Sequence, residues 1–246
     1  MANKILGIVN FEPNYVHVEG LEEHRPVSAV SILGRYRVID FAMSNFANSG
    51  IQNIQVYIKS RPRSLIEHIQ GTNYNINSKR GSIKILPSER AYSSEIYNTD
   101  IRAMMDNIQQ IEEANAAYVV IAPCHFIYTQ DFNELVEEHI KSGNDITMLY
   151  QIVNNADKNF VNCDTLDIDE NKVVKAIGTN RGNKKKASIS LETYVMSKKL
   201  LIDLLHAGLN ISSVYSLRDT IVDTFDDFKV GAYCHAASAY CISSLM

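Results

Sequence analysis

Four largely apolar runs, at residues 4–10, 54–58, 117–122 and 145–153, limit what this chain can fold into. The first and third are nearly continuous in valine, isoleucine, leucine and alanine, the pattern of a strand covered on both faces. Between the runs lie stretches with aliphatic residues at helical spacing, at 42–48, 63–70, 100–113 and 131–141. In the third of these Ile101, Met104, Met105, Ile108 and Ile111 share one side. A further strand is expected at 81–86, between Gly81 and Pro87, and the asparagine-rich stretch 73–80 reads as loop. Strand and helix alternating at this distance build β-α-β units, which predicts a doubly wound α/β domain with a mostly parallel sheet covered on both faces.

The pattern changes at Asn154, so residues 1–153 and 154–246 are read as two halves of one domain. Residues 165–168 and 173–177 flank the turn material Asp169-Glu170-Asn171-Lys172 and predict a β-hairpin. Strands are expected at 190–196 and 228–233, helices at 197–206 and 217–225, and the basic run 181–186 is read as a solvated tip. Asp164, Asp167, Asp169 and Glu170 lack the glycine and terminal glutamate spacing of a calcium loop.

A net charge of −4 argues against general nucleic-acid binding, which relies on a basic surplus. No apolar run approaches the roughly 20 residues of a membrane-spanning helix, and the first residues lack the apolar core of a secretory signal. Cys124, Cys163, Cys234 and Cys241 show no C-x-x-C spacing, so neither a zinc knuckle nor a redox pair is indicated, and a reducing cytoplasm is the expected compartment.

The stretch 25–51, RPVSAVSILGRYRVIDFAMSNFANSGI, sets a basic loop with Arg25, Gly34, Arg35 and Arg37 before a short helix that stops at Gly50. Only glycine takes the left-handed backbone cheaply there. Tyr36-Arg37-Val38-Ile39-Asp40-Phe41, Ser44-Asn45 and Asn48-Ser49-Gly50-Ile51 resemble, without gaps, the signature of the bacterial ADP-glucose pyrophosphorylase (glucose-1-phosphate adenylyltransferase) family. The chain is more similar still to the GlgD-type sister subunits of that enzyme. The resemblance implies a Rossmann-like nucleotide-diphospho-sugar transferase fold over the whole chain. It also implies a C-terminal left-handed β-helix in the relatives, absent from this sequence, so the chain is expected to be a truncated form.

Adenylyl transfer to a sugar phosphate joins two polyanions, and needs a phosphate cradle, cations and, in the active relatives, Mg²⁺ with ATP. Where those relatives carry G-G-x-G-T-R-L, this chain has residues 10–17, with Glu12 and Pro13 and no glycine before Gly20. The lysine of the K-P-A-V segment falls on Val27. The first metal aspartate falls on Cys124 or His125 within Ala122-Pro123-Cys124-His125-Phe126-Ile127-Tyr128, and the second on Ser238. The G-T-A-D-A segment reads Thr99-Asp100-Ile101-Arg102-Ala103, and the sugar-side E-K-P reads Gly178-Thr179-Asn180. Hard Mg²⁺ prefers oxygen ligands, so no cofactor or metal is expected and the chain is expected to be inactive or nearly so by itself.

By the same resemblance Arg25 and Arg37, with His24 and Arg35 nearby, correspond to arginines that receive phosphorylated effectors, which planar guanidinium groups bind in a fork, so Arg25, Arg35 and Arg37 are the expected effector-binding residues. The alternative is that Arg25 and Arg37 pair with Glu22, Glu23 or Asp40 and hold the loop. The expected role is a regulatory subunit acting on a catalytic ADP-glucose pyrophosphorylase subunit in a hetero-oligomer, or on itself, with a sugar-phosphate effector. An active nucleotidyltransferase with replaced residues and a stand-alone sugar-phosphate sensor are the competing readings.

Overall fold

The computed structural model describes residues 5–16, 18, 20, 25–76, 81–88 and 96–242. Glu22, Glu23 and His24 lie outside the described residues. Strand β1 (Ile5–Asn10) is central. A small hairpin, β2 (Ser31–Ile32) and β3 (Tyr36–Arg37), leads into α1 (Ile39–Asn48), which stops before Gly50 at φ 68°. Then come β4 (Asn53–Ile58), α2 (Arg63–Gly71), β5 (Ser82–Pro87), α3 (Asp100–Asp106), α4 (Ile108–Glu112) and β6 (Tyr118–Pro123). β5, β4, β1 and β6 are neighbours in that order and all parallel.

The remaining elements are β7 (Phe126–Ile127), α5 (Phe132–Ser142), β8 (Ile146–Val153), β9 (Asp164–Ile168), β10 (Val174–Thr179), β11 (Ala187–Ser197), α6 (Lys198–Ile211), α7 (Leu217–Asp223), β12 (Val230–Cys234) and β13 (Tyr240–Cys241). β11 continues the sheet antiparallel to β6 and β8, and at Ile189 it also meets β9 of the predicted hairpin. β12 runs parallel to β8, and β13 pairs with β7. The doubly wound α/β sheet is therefore parallel through its first half, with an antiparallel β11 joining the second half to it.

Alternate residues of each buried strand serve opposite layers. Ile5 and Val9 of β1 pack with Ile39, Met43 and Phe46 of α1 and with Phe132 and Leu135 of α5. Leu6 and Ile8 face Ile101, Met104, Leu201, Leu204, Leu205 and Leu217 on the other side. Gly7 points toward α1, where a Cβ would stand 2.8 Å from the Phe46 ring. That ring is fully buried and cannot yield, so Gly7→Ala is expected to lower stability by about 1–3 kcal/mol, read by urea denaturation.

The helix expected over 100–113 is broken. Asn107 leaves helical geometry at φ −117° and ψ 23°, and its Nδ2 donates back to the Ala103 carbonyl at 3.0 Å. Asparagine competes for backbone acceptors in this way. Helical spacing on both sides of Asn107 hides the break from the sequence.

Candidate functional site

A cavity of about 590 Å³ opens at the carboxyl ends of β1, β4 and β6, beside the point where the sheet reverses direction at β11. Ligands of open α/β sheets bind at such switch points, because the loops on either side diverge there. The loop after β1 forms one wall with Asn10 to Tyr15. Asn98 to Asp100 at the start of α3 and Ser216, Arg218 and Asp219 at the start of α7 supply the second. Asn162, Asp164, Thr179, Arg181, Glu192 and Tyr194 form the third.

The first wall folds on itself. Val16 N–H donates to the Pro13 carbonyl at 3.0 Å, closing a turn. Val16, Val18 and Val27 bury one another in a small cluster joined by Tyr15 and Ile242. Val27, the position of the missing lysine, is thus fully buried support for the loop. Asn10 accepts from Phe11 N–H at 3.0 Å and donates to Asp100 Oδ2 at 3.1 Å, which fixes the loop's exit from β1. Asp100 also accepts from the Leu217 N–H at 3.1 Å at the start of α7. Burial pushes its carboxyl above the ordinary carboxylate range, opposed by those donors. Asp100 is therefore a bracket between β1, α3 and α7.

The cavity floor is built around Glu192. The pairing of β11 with β8 skips between Ser190 and Thr193, a bulge that leaves Leu191 and Glu192 out of register. Glu192 sits at φ 48°, left-handed backbone that a side-chain-bearing residue holds at a cost of about 1–3 kcal/mol. The bulge brings its carboxyl to the Tyr15 hydroxyl, which donates to Oε1. His125 Nε2 lies 3.3 Å from the Tyr15 oxygen and 3.7 Å from Glu192 Oε2.

Burial pushes the Glu192 carboxyl up to about 8 and the His125 imidazole down to about 3. At neutral pH both are uncharged, so their contact is dipolar and not an ion pair. With Tyr15 donating to Glu192, a proton on His125 Nε2 would let the ring donate to the Tyr15 oxygen. Nδ1 of His125 has no partner among the described residues.

Arg218 of α7 holds Asp164 in a two-pronged contact, Nε to Oδ2 at 3.0 Å and Nη2 to Oδ1 at 3.3 Å, and reaches Asp219 at 3.2 Å. Burial raises the Asp164 carboxyl, and Arg218 opposes the rise. Five acidic side chains line the cavity, Glu12, Asp100, Asp164, Glu192 and Asp219, the fourth held neutral, against the cations Lys59, Arg181 and Arg218. With Arg218 paired to Asp164 and Asp219, Lys59 and Arg181 face Glu12 and Asp100, so the cavity offers a polyphosphate no cationic surplus.

The candidate residues from the sequence fall in three places. Cys124 is buried and donates to Glu12 Oε2 at 3.2 Å, and burial holds its thiol well above the ordinary range. Ser238 is exposed and does not line the cavity. Among the described residues no three His, Cys, Asp or Glu side chains gather in a way that could hold a metal ion. The residues at these positions do not fit the Mg²⁺ that the resemblance implies.

Arg25, Arg35 and Arg37 lie away from the cavity lining. Arg25 and Arg35 are exposed, Arg35 with its guanidinium 5.9 Å from the centre of the Tyr36 ring. The Arg37 guanidinium donates to the Ser64 carbonyl, and only its backbone N–H reaches Asp40, at 2.8 Å. A side-chain pair of Arg37 with Asp40, one of the alternative pairings, is not formed, and Asp40 Oδ1 accepts from His68 Nε2 at 2.7 Å and the Tyr74 hydroxyl at 2.5 Å.

The sequence reading missed Tyr15, Asp164, Glu192 and Arg218 as site residues. The available signal was a glutamate inside the apolar run Leu191-Glu192-Thr193-Tyr194-Val195. Arg181, read as part of a solvated tip, lines the cavity instead, because the turn before it is tied down through Asn180.

This fold, with a cavity at its switch point, defines a nucleotidyltransferase-type α/β domain, and the chain belongs to the nucleotidyl transferase family, whose profile matches residues 19–160. It is 29% identical to a glycogen biosynthesis protein GlgD of Geobacillus stearothermophilus, over 91% of this chain and 55% of that protein. It is 30% identical to a glucose-1-phosphate adenylyltransferase of Rhodopseudomonas palustris, over 76% of this chain and 46% of that one. The chain thus spans about half the length of these relatives. The crystal structure of HddC from Yersinia pseudotuberculosis shares the fold with a TM-score of 0.75 at 15% identity, covering 98% of this chain and 94% of that one.

Proposed function

We propose that this protein is a regulatory, catalytically deficient relative of glucose-1-phosphate adenylyltransferase that acts in glycogen synthesis by pairing with an active subunit. The observation that carries the reading is the wall after β1. Where a phosphate cradle would offer backbone N–H groups and a cation, this chain packs Val16, Val18 and Val27 together and donates the Tyr15 hydroxyl to Glu192. The charge balance among the cavity's described residues supports it, because a nucleoside triphosphate brought there would find no surplus of positive charge. The likeness to the Geobacillus stearothermophilus GlgD protein over 91% of the chain supports the placement in glycogen synthesis. Influence on a partner then has to come from contacts that differ between the partner's states.

Titration calorimetry with Mg-ATP tests this directly. The expected result is no saturable heat up to about 1 mM nucleotide, the weak end of ordinary affinities. An active glucose-1-phosphate adenylyltransferase serves as the positive control. Saturable micromolar binding would contradict the reading and favour an enzyme with replaced site residues.

A further inference from the structure

Two thiols far apart in sequence meet beside the cavity. Cys163 and Cys241 are 78 residues apart, and their Sγ atoms lie 3.5 Å from each other. Cys163 is fully buried and closes the turn whose Phe160 and Asn162 sit at φ 60° and 68°. That turn is held rigidly: the Cys163 N–H donates to the Phe160 carbonyl at 3.1 Å, and its carbonyl accepts from Asn180 N–H at 2.8 Å. The next residue is Asp164, the partner of Arg218. Cys241 is half-buried on β13, and its neighbour Ile242 donates to the His125 carbonyl at 2.9 Å and packs against the valine cluster of the first wall.

We propose that Cys163 and Cys241 form a reversible oxidation site, closing to a disulfide that staples β13 to the start of β9 beside the cavity. A disulfide needs its sulfurs at roughly 2.0 Å, so from 3.5 Å the two sulfur atoms have about 1.5 Å left to close. The oxidant is a small-molecule disulfide such as glutathione disulfide. The Cys241 thiolate, on the accessible side, attacks one of its sulfurs, breaks that S–S bond and releases one glutathione thiolate. The Cys163 thiolate then attacks the mixed disulfide at Cys241 and expels the second. Two electrons pass from the protein to the glutathione disulfide, and the two thiol protons end on the two released glutathiones. This proposal stands independently of the role in glycogen synthesis.

The test equilibrates the whole chain, in a Cys234→Ser background that removes the exposed thiol, with excess glutathione disulfide. Mass spectrometry then maps the peptides and a thermal scan reads the unfolding midpoint. Expected are a cross-linked Cys163–Cys241 peptide, reversed by dithiothreitol, and a midpoint higher by roughly 5–10 °C. Cys241→Ser, a change at a half-buried site, should fold and lose both effects. Persistence of the two free thiols, separate glutathione adducts, a cross-link without a midpoint gain, or a gain that survives in Cys241→Ser would each overturn the proposal.

Discussion

Glu192→Gln is expected to become more stable than the parent protein as pH rises. The gap should widen by about 1.4 kcal/mol per pH unit and reach on the order of 5 kcal/mol before it levels off. The parent's carboxyl is held up to about 8 by burial, against 4.5 for the ordinary group. Between those values the unfolded chain has released the proton while the folded chain keeps it, so folded stability falls with rising pH and is flat above about 8. Glutamine preserves the acceptor for the Tyr15 hydroxyl and has nothing to ionise, so this contribution disappears. Urea denaturation of both proteins at about pH 5 and about pH 9 reads the difference. Equal slopes against pH would mean that Glu192 is solvated and does not form the cavity floor.

The second large effect is expected at Asp40, inside the stretch that first set this chain apart. Asp40 is nearly buried and accepts from three donors, the Arg37 N–H, His68 Nε2 and the Tyr74 hydroxyl. It thereby ties the β2–β3 hairpin to α2 and to the segment after it. Asp40→Ala strands these donors and is expected to cost about 3 kcal/mol. Asp40→Asn keeps the acceptor for Tyr74 but turns an amide N–H₂ toward the Arg37 N–H, or the reverse, so it should recover only part of the loss. A cost under about 1 kcal/mol for Asp40→Ala would show that the hairpin is held by other contacts. The same tie bears on the arginines, because it fixes the backbone of Arg37 and leaves Arg25 and Arg35 on the exposed side.

How much of this was legible beforehand follows from the range of each signal. β1, β4 and β6 were readable because both their faces are buried, which writes a continuous apolar run into the chain. The end of α1 was readable because Gly50 needs left-handed backbone. The reversal at β11 was not, since antiparallel pairing with β6 leaves no local trace in residues 187–197. Glu192 was hidden for the same reason: its aim comes from a bulge set by the register with β8. Asp164 and Arg218 meet across 54 residues, and Cys163 and Cys241 across 78, distances over which spacing carries no information. The degenerate positions Val27, Cys124 and Ser238 were visible only through the resemblance. The structure adds that two of them, Val27 and Cys124, now hold the wall after β1 through the valine cluster and Glu12.

The most direct test of the central claim is ADP-glucose formation from ATP and glucose 1-phosphate, measured for this protein alone, for an active glucose-1-phosphate adenylyltransferase alone and for the two together, with and without sugar phosphates. No turnover by this protein alone, together with a changed rate or effector response in the mixture, is the predicted result. Turnover by this protein alone would contradict it and would return Asp100, His125 and Glu192 to consideration as groups that contact a nucleotide.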